Sequence, residues 1–372
     1  MIEINTWDWR FRVAFDISIR EKVNRAIDEM NHDPSKKIMT DLLLIFKERL
    51  SVSELVSYCC EETGDNESAL EAASGVIPLF LPKFLSDEYH SRVNKSNKLN
   101  STEKYELNRI IQSATQNSFC NLNREIFEPI FGPYLDILLK KSVSKISPPA
   151  RQNDISDESL LEVSKNIINS LEDITPSFLK ETMKFIPNYE IEIISDTGFA
   201  EYWPKSLTKS EKDKLIIFDN DEFIGYQDLQ ATIAHEVLGH ATFYNFIEVF
   251  QPPFFDHGSI AFVEGWATWC EWISSNDKHS KHLKSSRCQS LKSFTSTSPK
   301  KIQDDIIKTT LQKGYSKDVA RSSIEYFFQY PGFRLSYTLG ALWFEHRLSN
   351  IKPMEFFDSI KNKPWGDFFA TW

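Results

Sequence analysis

Glycine is scarce in this chain, 12 of 372 residues, too few for a fold made of many tight turns, so helices joined by short connections are expected. Cysteine is sparse as well. The five thiols, at 59, 60, 120, 270 and 288, are odd in number and lack the spacing of a disulfide framework or a cysteine-rich zinc module. They point to reduced, buried thiols and a cytoplasmic protein. Basic residues do not outweigh acidic ones: 43 Lys and Arg stand against 53 Asp and Glu, a formal charge of −10. That balance argues against broad nucleic-acid binding. No run approaches the roughly 18 to 20 apolar residues of a membrane helix. The opening stretch MIEINTWDWRFRVAF carries charges where a secretion signal needs an apolar centre. Aromatic residues, in contrast, are plentiful: 28 Phe, 12 Tyr and 9 Trp promise an aromatic-rich core.

Apolar residues recur at helical spacing over Ile17–Met30, Lys37–Cys60, Thr102–Gln116 and Ser156–Ser170. Ser68–Leu85 and Leu122–Ser142 read as helices interrupted by Pro78 and Pro82, and by Pro129 and Pro133. Residues Asp154–Glu158 offer Asp, Ser and Glu to start the Ser156 helix. The polar, proline-containing stretch KISPPARQNDISD, residues 145–157, is the best internal boundary. It separates a helical N-terminal region (1–150) from a second region (151–372) within one compact unit. Strand-like alternation is confined to Tyr189–Ser195 and Lys214–Phe218. Helix returns over Lys300–Leu311, Ser316–Phe328 (with Ser316 as N-cap) and Leu335–Leu348. The expected fold class is mainly α, with a small β-sheet beside one central helix.

That central helix, Gln227–Phe250, carries apolar residues at 229, 233, 234, 237, 238, 241 and 244. It holds His235-Glu236-Val237-Leu238-Gly239-His240, a quarter of the chain's eight histidines. Two imidazoles on one helix with an adjacent carboxylate are the residue types that bind Zn²⁺ and activate water. Their five-residue spacing is awkward, because an ideal α-helix separates such positions by roughly 140°, against roughly 40° at the usual four-residue spacing. A helix widened locally by one residue, a π-bulge, brings both rings to one side. Gly239, which lacks a Cβ, is expected to ease that distortion.

A third ligand is expected from Glu264, which lies in the apolar segment IAFVEGWATWCEWI, residues 260–273. A carboxylate buried there needs a partner, and a cation is the most economical one. Glu271, two helical turns further along the same face, is placed to orient a ligating histidine from behind. One Zn²⁺ held by His235, His240 and Glu264 leaves a fourth position for water and lowers that water's pKa toward about 7. Glu236 then takes the proton and returns it to the leaving amine. Tyr337 and His257 are candidate donors to the developing oxyanion, and Arg334 and Arg347 candidate grips on the substrate.

Three segments in order, HEVLGH (235–240), EGWATWCE (264–271) and YPGFRLSYTLG (330–340), resemble the motifs of a large bacterial family labelled domain of unknown function 885. Its members look like zinc metallopeptidases. The family pattern is His-Glu-x-x-Pro-Gly-His, then Glu-Gly-Trp-Ala with a later Glu, then Pro-Gly-x-x-x-Ser/Ala-Tyr-x-x-Gly. Here the first motif lacks the proline and is one residue shorter, which is similar to the His-Glu-x-x-Gly-His of dipeptidyl peptidase III. The resemblance covers the C-terminal half of the chain and leaves the front half unmatched. It implies a helical, zincin-like (gluzincin-like) metallopeptidase fold. It also implies His235, His240 and Glu264 as ligands of one zinc ion, Glu236 as general base and Tyr337 as a transition-state donor. The expected activity is zinc-dependent hydrolysis of peptide bonds in short peptides. The alternatives are a metal-dependent amidase acting on a small metabolite and a non-catalytic protein with a structural metal. Peptides or small amides are the expected partners; nucleic acids and membranes are not.

Overall fold

A computed structural model of the chain describes residues 52–61, 81–115, 127–140, 159–194, 200–205, 211–218, 225–250, 257–288, 299–312, 333–348 and 351–360, with scattered positions between them. The chain divides into two compact units, Met1–Ile126 with Ser323–Gly332, and Phe127–Ser322 with Phe333–Trp372. This division precedes the polar, proline-containing stretch at 145–157, which lies outside the described residues, as do the expected helix Ile17–Met30 and most of Lys37–Cys60 and Ser68–Leu85.

The first unit contains α1 (Val52–Glu61), α2 (Lys83–Lys95) and α3 (Ser101–Thr115). Helix α2 starts only after Pro82, whose extended backbone (φ −67°, ψ 146°) serves as its N-cap. Pro82 thus breaks the helix expected up to Leu85, since proline cannot supply an interior N–H. Helix α3 opens with a reciprocal cap. The Asn100 side chain accepts from the N–H groups of Thr102 and Glu103, while the Glu103 carboxylate accepts from the Asn100 N–H. Leu107, Ile110, Ile111 and Ala114 form its buried face.

The second unit is mainly helical around a three-stranded sheet. Its elements are α4 (Tyr134–Lys140), α5 (Leu160–Ile174), a 3₁₀ turn (Lys180–Phe185), β1 (Tyr189–Ile194), β2 (Ala200–Trp203), β3 (Asp213–Phe218) and α6 (Tyr226–Ala234). A π-helical segment (His235–Ala241) then leads into α7 (Thr242–Phe250), α8 (His257–Ile273), α9 (Asp277–Cys288), α10 (Pro299–Gln312), α11 (Phe333–Arg347) and α12 (Pro353–Ile360). The expected break in Leu122–Ser142 falls at Gly132-Pro133, where Gly132 takes φ 50°. Pro129 causes no break. Helix α5 begins later than the Ser156 expected. Its cap is Ser159, whose side chain accepts from the Glu162 N–H at 3.3 Å.

The sheet order is β1-β3-β2, with β1 parallel and β2 antiparallel to β3. Central β3 is buried at every residue but Lys214, which pairs with Glu192 at 2.8 Å on the outer face of the sheet. Strand β2 escapes the sequence reading because four residues, Ala-Glu-Tyr-Trp, are too short to show a period. It occupies an edge of the sheet, and that edge faces the π segment.

Behind the sheet and the central helix sits an aromatic core. Phe262 lies 5.2 Å from Phe344 and 5.7 Å from Phe356, and Trp266 lies 4.8 Å from Phe357, which in turn stacks 4.8 Å from Phe246. Each such ring buries about 150–250 Å². The largest helix–helix contact in this unit, α8 against α11, forms where Gly265 meets Gly340. A Cβ on Gly340 would stand 2.0 Å from the Ala261 carbonyl oxygen, and one on Gly265 would stand 2.5 Å from the Gly340 Cα. Neither obstacle is a side chain that can swing aside, so both glycines are required by the closeness of the backbones.

Cys59 and Cys270 are buried free thiols, and Cys60 and Cys288 are half-buried. Among the described residues, no helix is long and apolar enough to cross a membrane. The crossing makes a first prediction: Gly340→Ala lowers the unfolding free energy by about 1–3 kcal/mol or more. Urea denaturation of the full chain measures it, and an unchanged midpoint would contradict the close crossing.

Candidate metal centre

Helix α6 changes pitch at His235. Across the π segment the ladder closes on the fifth residue back: the Thr242 N–H bonds the Val237 carbonyl, and the Thr242 hydroxyl donates to the same oxygen at 3.3 Å. Five residues then make close to one turn. His235 and His240 therefore point the same way, with ring centroids 4.9 Å apart and planes at 76°. The expected widening of the helix is present.

Gly239 answers a packing need as well. Its φ is not positive. A Cβ there would lie 2.5 Å from the Cβ and 2.6 Å from the Cα of Ala267 on α8. Gly239 is needed for the approach of the helix that carries Glu264. Two side chains of α8 fasten that approach, since Trp266 Nε1–H and the Cys270 thiol both donate to the Leu238 carbonyl, at 3.4 and 3.7 Å.

With α8 so close, Glu264 Oε2 lies 3.5 Å from His235 Nε2 and 3.5 Å from His240 Nε2. Ligand atoms held about 2.0–2.1 Å from a tetrahedral ion stand about 3.4 Å apart, so the spacing fits a cation. That oxygen, and the far nitrogen of each ring, are short of ordinary partners. Among the described residues, Glu264 Oε2 and the Nδ1 atoms of both histidines have no hydrogen-bond partner. A buried carboxylate oxygen left so costs several kcal/mol unless an ion binds it. The Glu236 carboxylate also lies within 4.8 Å of both imidazoles and is a rival third ligand. Glu236 Oε2, however, accepts the backbone N–H of Tyr202 on β2 at 2.8 Å. That bond engages one oxygen of Glu236, whereas Glu264 Oε2 has no hydrogen-bond partner among the described residues.

Behind His235, Glu271 Oε2 lies 3.3 Å from Nδ1, and Arg287 Nη2 of α9 donates to the same oxygen at 2.7 Å. The spacing of Nδ1 satisfies an ion pair without the alignment of a hydrogen bond, which reconciles it with the unpartnered status above. The Tyr337 ring stacks on His235 at 6.1 Å and 13°, and Tyr244 stacks on His240 at 5.7 Å and 17°. Tyr244 also stacks on Tyr202 at 6.5 Å.

The electrostatics follow from burial and neighbours. Burial and the nearby carboxylates Glu264 and Glu201 raise the Glu236 pKa against the pull of the two imidazoles. Burial also pushes Glu264 upward, but His240 and His235 hold it far below the usual carboxylate range. For Glu271, burial is outweighed by Arg287 and His235, leaving it at about 2. Burial alone would lower His235, yet Glu264 and Glu271 keep its proton to about 10.

The structure therefore brings together His235, Glu236, His240, Glu264, Glu271 and Tyr337. It does not bring Arg347 there. Arg347 is ten residues beyond Tyr337 on α11, about 15 Å along the axis, and its Cζ lies 5.2 Å over the Tyr134 ring. His257 opens α8, seven residues before Glu264 and about 10 Å along that axis; its side chain and that of Arg334 lie outside the described residues. The sequence reading missed Arg287, Tyr244 and the Tyr202 N–H. Tyr244 was within reach, one helical turn after His240. Arg287 had a weaker signal: a Glu271 buried in an apolar segment demands a counter-charge, and the next helix, DKHSKHLKSSRC, is rich in basic residues.

No protein-family profile matches this chain, and no curated protein matches it. Among solved structures, the chain is similar to a protein from Colwellia psychrerythraea provisionally described as a lipoprotein. The two share 14% identity and a TM-score of 0.48, with 89% of this chain and 77% of the other covered.

A cation held by these residues would stabilise the folded chain. Zinc at about 1,000-fold above its dissociation constant is expected to add about 4 kcal/mol. The melting temperature of the wild-type chain then falls on chelation and recovers with zinc, while His240→Ala abolishes the zinc-dependent shift. Equal shifts in both proteins would contradict the assignment.

Proposed function

We propose that this protein is a metal-dependent hydrolase, a peptidase acting on short peptides, with His235, His240 and Glu264 holding one Zn²⁺. The observation that supports it most is a Glu264 carboxylate oxygen, without a hydrogen-bond partner among the described residues, that stands 3.5 Å from each of two imidazole Nε2 atoms, with a second carboxylate alongside. When bound, a divalent cation supplies Lewis acidity, polarising a carbonyl and acidifying a water.

The chain's own residues do the rest. Glu236 is the general base. Burial gives it more affinity for a proton than an exposed carboxylate has, and the Tyr202 N–H holds one of its oxygens in place at 2.8 Å. Because that N–H belongs to an edge strand, an extended peptide laid along the outer rim of β2 brings its backbone next to the base. Glu271 fixes the His235 ring from its far nitrogen, the usual way a metal-bound imidazole is oriented. Tyr337, half-buried against the His235 ring, serves as donor to the charge that grows on the substrate oxygen.

The kinship with the family labelled domain of unknown function 885, and the zincin-like fold it implies, belong to the same proposal. In its support, the three motifs quoted above contribute to one site. HEVLGH supplies the imidazoles and base, EGWATWCE supplies Glu264 and Glu271, and YPGFRLSYTLG supplies Tyr337. Free thiols fit a reducing compartment such as the cytoplasm.

Glu236→Gln separates base from ligand. The variant is expected to bind zinc like the wild type while hydrolysis of a short-peptide pool falls about 10²- to 10⁴-fold. Loss of zinc from this variant would make Glu236 a ligand, and undiminished turnover would remove it from the chemistry.

A further inference from the structure

Four contacts around His235 close on themselves. Glu271 Oε2 lies 3.3 Å from His235 Nδ1, Arg287 Nη2 lies 2.7 Å from that same oxygen, Arg287 Cζ sits 5.5 Å over the Tyr337 ring, and Tyr337 stacks 6.1 Å from the His235 ring. The members come from the π segment, α8, α9 and α11, so each contact ties a different pair of elements. The Thr338 hydroxyl adds a tie by donating to the Arg287 carbonyl at 3.3 Å, which fastens the end of α9 to α11.

His240 has no equivalent. Tyr244 covers its face, but no carboxylate among the described residues stands at its Nδ1. The two imidazoles are therefore held unequally, His235 by face and edge and His240 by face alone. A guanidinium suits the junction because it is planar: its N–H groups reach Glu271 in the plane while its face lies over an aromatic ring. An ammonium, a point charge on a flexible stem, makes one of these contacts well and the other poorly.

We propose that Arg287 is a positioning residue that sets His235 and Tyr337 together, so that the tightness of the metal site and the placement of the tyrosine depend on one guanidinium. This rests on the metal reading above. Arg287 acts through Glu271 on one side and through the tyrosine ring on the other. Losing it frees the Glu271 carboxylate to rotate away from Nδ1 and uncovers the outer face of Tyr337.

A double-mutant cycle read by zinc affinity tests it. Chelator-competition titrations with zinc alone are run on the full-length wild type, R287M, E271Q and E271Q/R287M. R287M is expected to weaken zinc binding about 10- to 100-fold, the usual effect of losing an outer partner of a metal-bound histidine. E271Q should do the same. The double variant should be no weaker than E271Q, because Arg287 acts through that carboxylate. A bystander arginine that merely supports the fold would give additive losses. If R287M lacks the near-ultraviolet circular dichroism of the wild type, R287Q, with a polar but shorter and uncharged side chain, replaces it in the cycle. Undiminished zinc affinity in the Arg287 variant, or additive losses in the double variant, would overturn the role of Arg287 alone. A wild-type chain taking up no zinc that His240→Ala removes would overturn the metal centre itself.

Discussion

The approach of Ala267 to Gly239 is the constraint on which this molecule turns. It carries α8 onto the central helix so closely that a single methyl group at 239 would collide with both backbone and side chain. Only at that separation can Glu264 place one oxygen equidistant from two imidazoles on the neighbouring element. The second close crossing, Gly265 on Gly340, seats α11 against the far side of α8 and delivers Tyr337 to the face of His235. Three glycines thus stand at the places where the helices around the site must touch backbone to backbone. The aromatic core behind them supplies the burial that holds those contacts shut.

Assembling three carboxylates, two buried and Glu264 half-buried, within one small volume is unfavourable unless their charge is met. Part of the answer is internal: Arg287 serves Glu271, and the Tyr202 N–H serves Glu236. Glu264 has neither; its Oε2 faces the two imidazole Nε2 atoms at 3.5 Å and has no hydrogen-bond partner among the described residues. The three acids therefore sit in different environments. Glu271 has a cationic partner that holds its pKa down, Glu264 faces two imidazoles that do the same, and Glu236 is raised by burial and held by a strand edge. Chemically identical side chains acquire different proton affinities from where the helices set them.

Much of this was legible in the residues. The odd spacing of His235 and His240 signalled a widened helix, because no straight α-helix lets both reach one ion. Glu264 was legible from its apolar surroundings, and Glu271 from its two-turn offset. Long amphipathic helices such as Thr102–Gln116 and Lys300–Leu311 were readable to within a residue or two of Ser101–Thr115 and Pro299–Gln312. What stayed hidden depends on three-dimensional approach. Gly239 looked like a soft point in the backbone, and only the position of Ala267 shows it as a point of contact. Arg287 belongs to the site through a turn, Ser274–Asn276, that reverses the chain between α8 and α9, and no periodicity reports which residue such a reversal returns. Arg347 was a candidate grip on the substrate, but ten residues of helix separate it from Tyr337 and its side chain lies over Tyr134 instead.

An anomalous-difference map at the zinc absorption edge, from crystals of the full chain grown with zinc, addresses the centre directly. It should contain one strong peak bounded by His235 Nε2, His240 Nε2 and Glu264, with the Glu236 carboxylate beside it and still bonded to the Tyr202 N–H. A map with no peak there, or with its peak on other residues while His235 and His240 turn away from Glu264, would contradict the account.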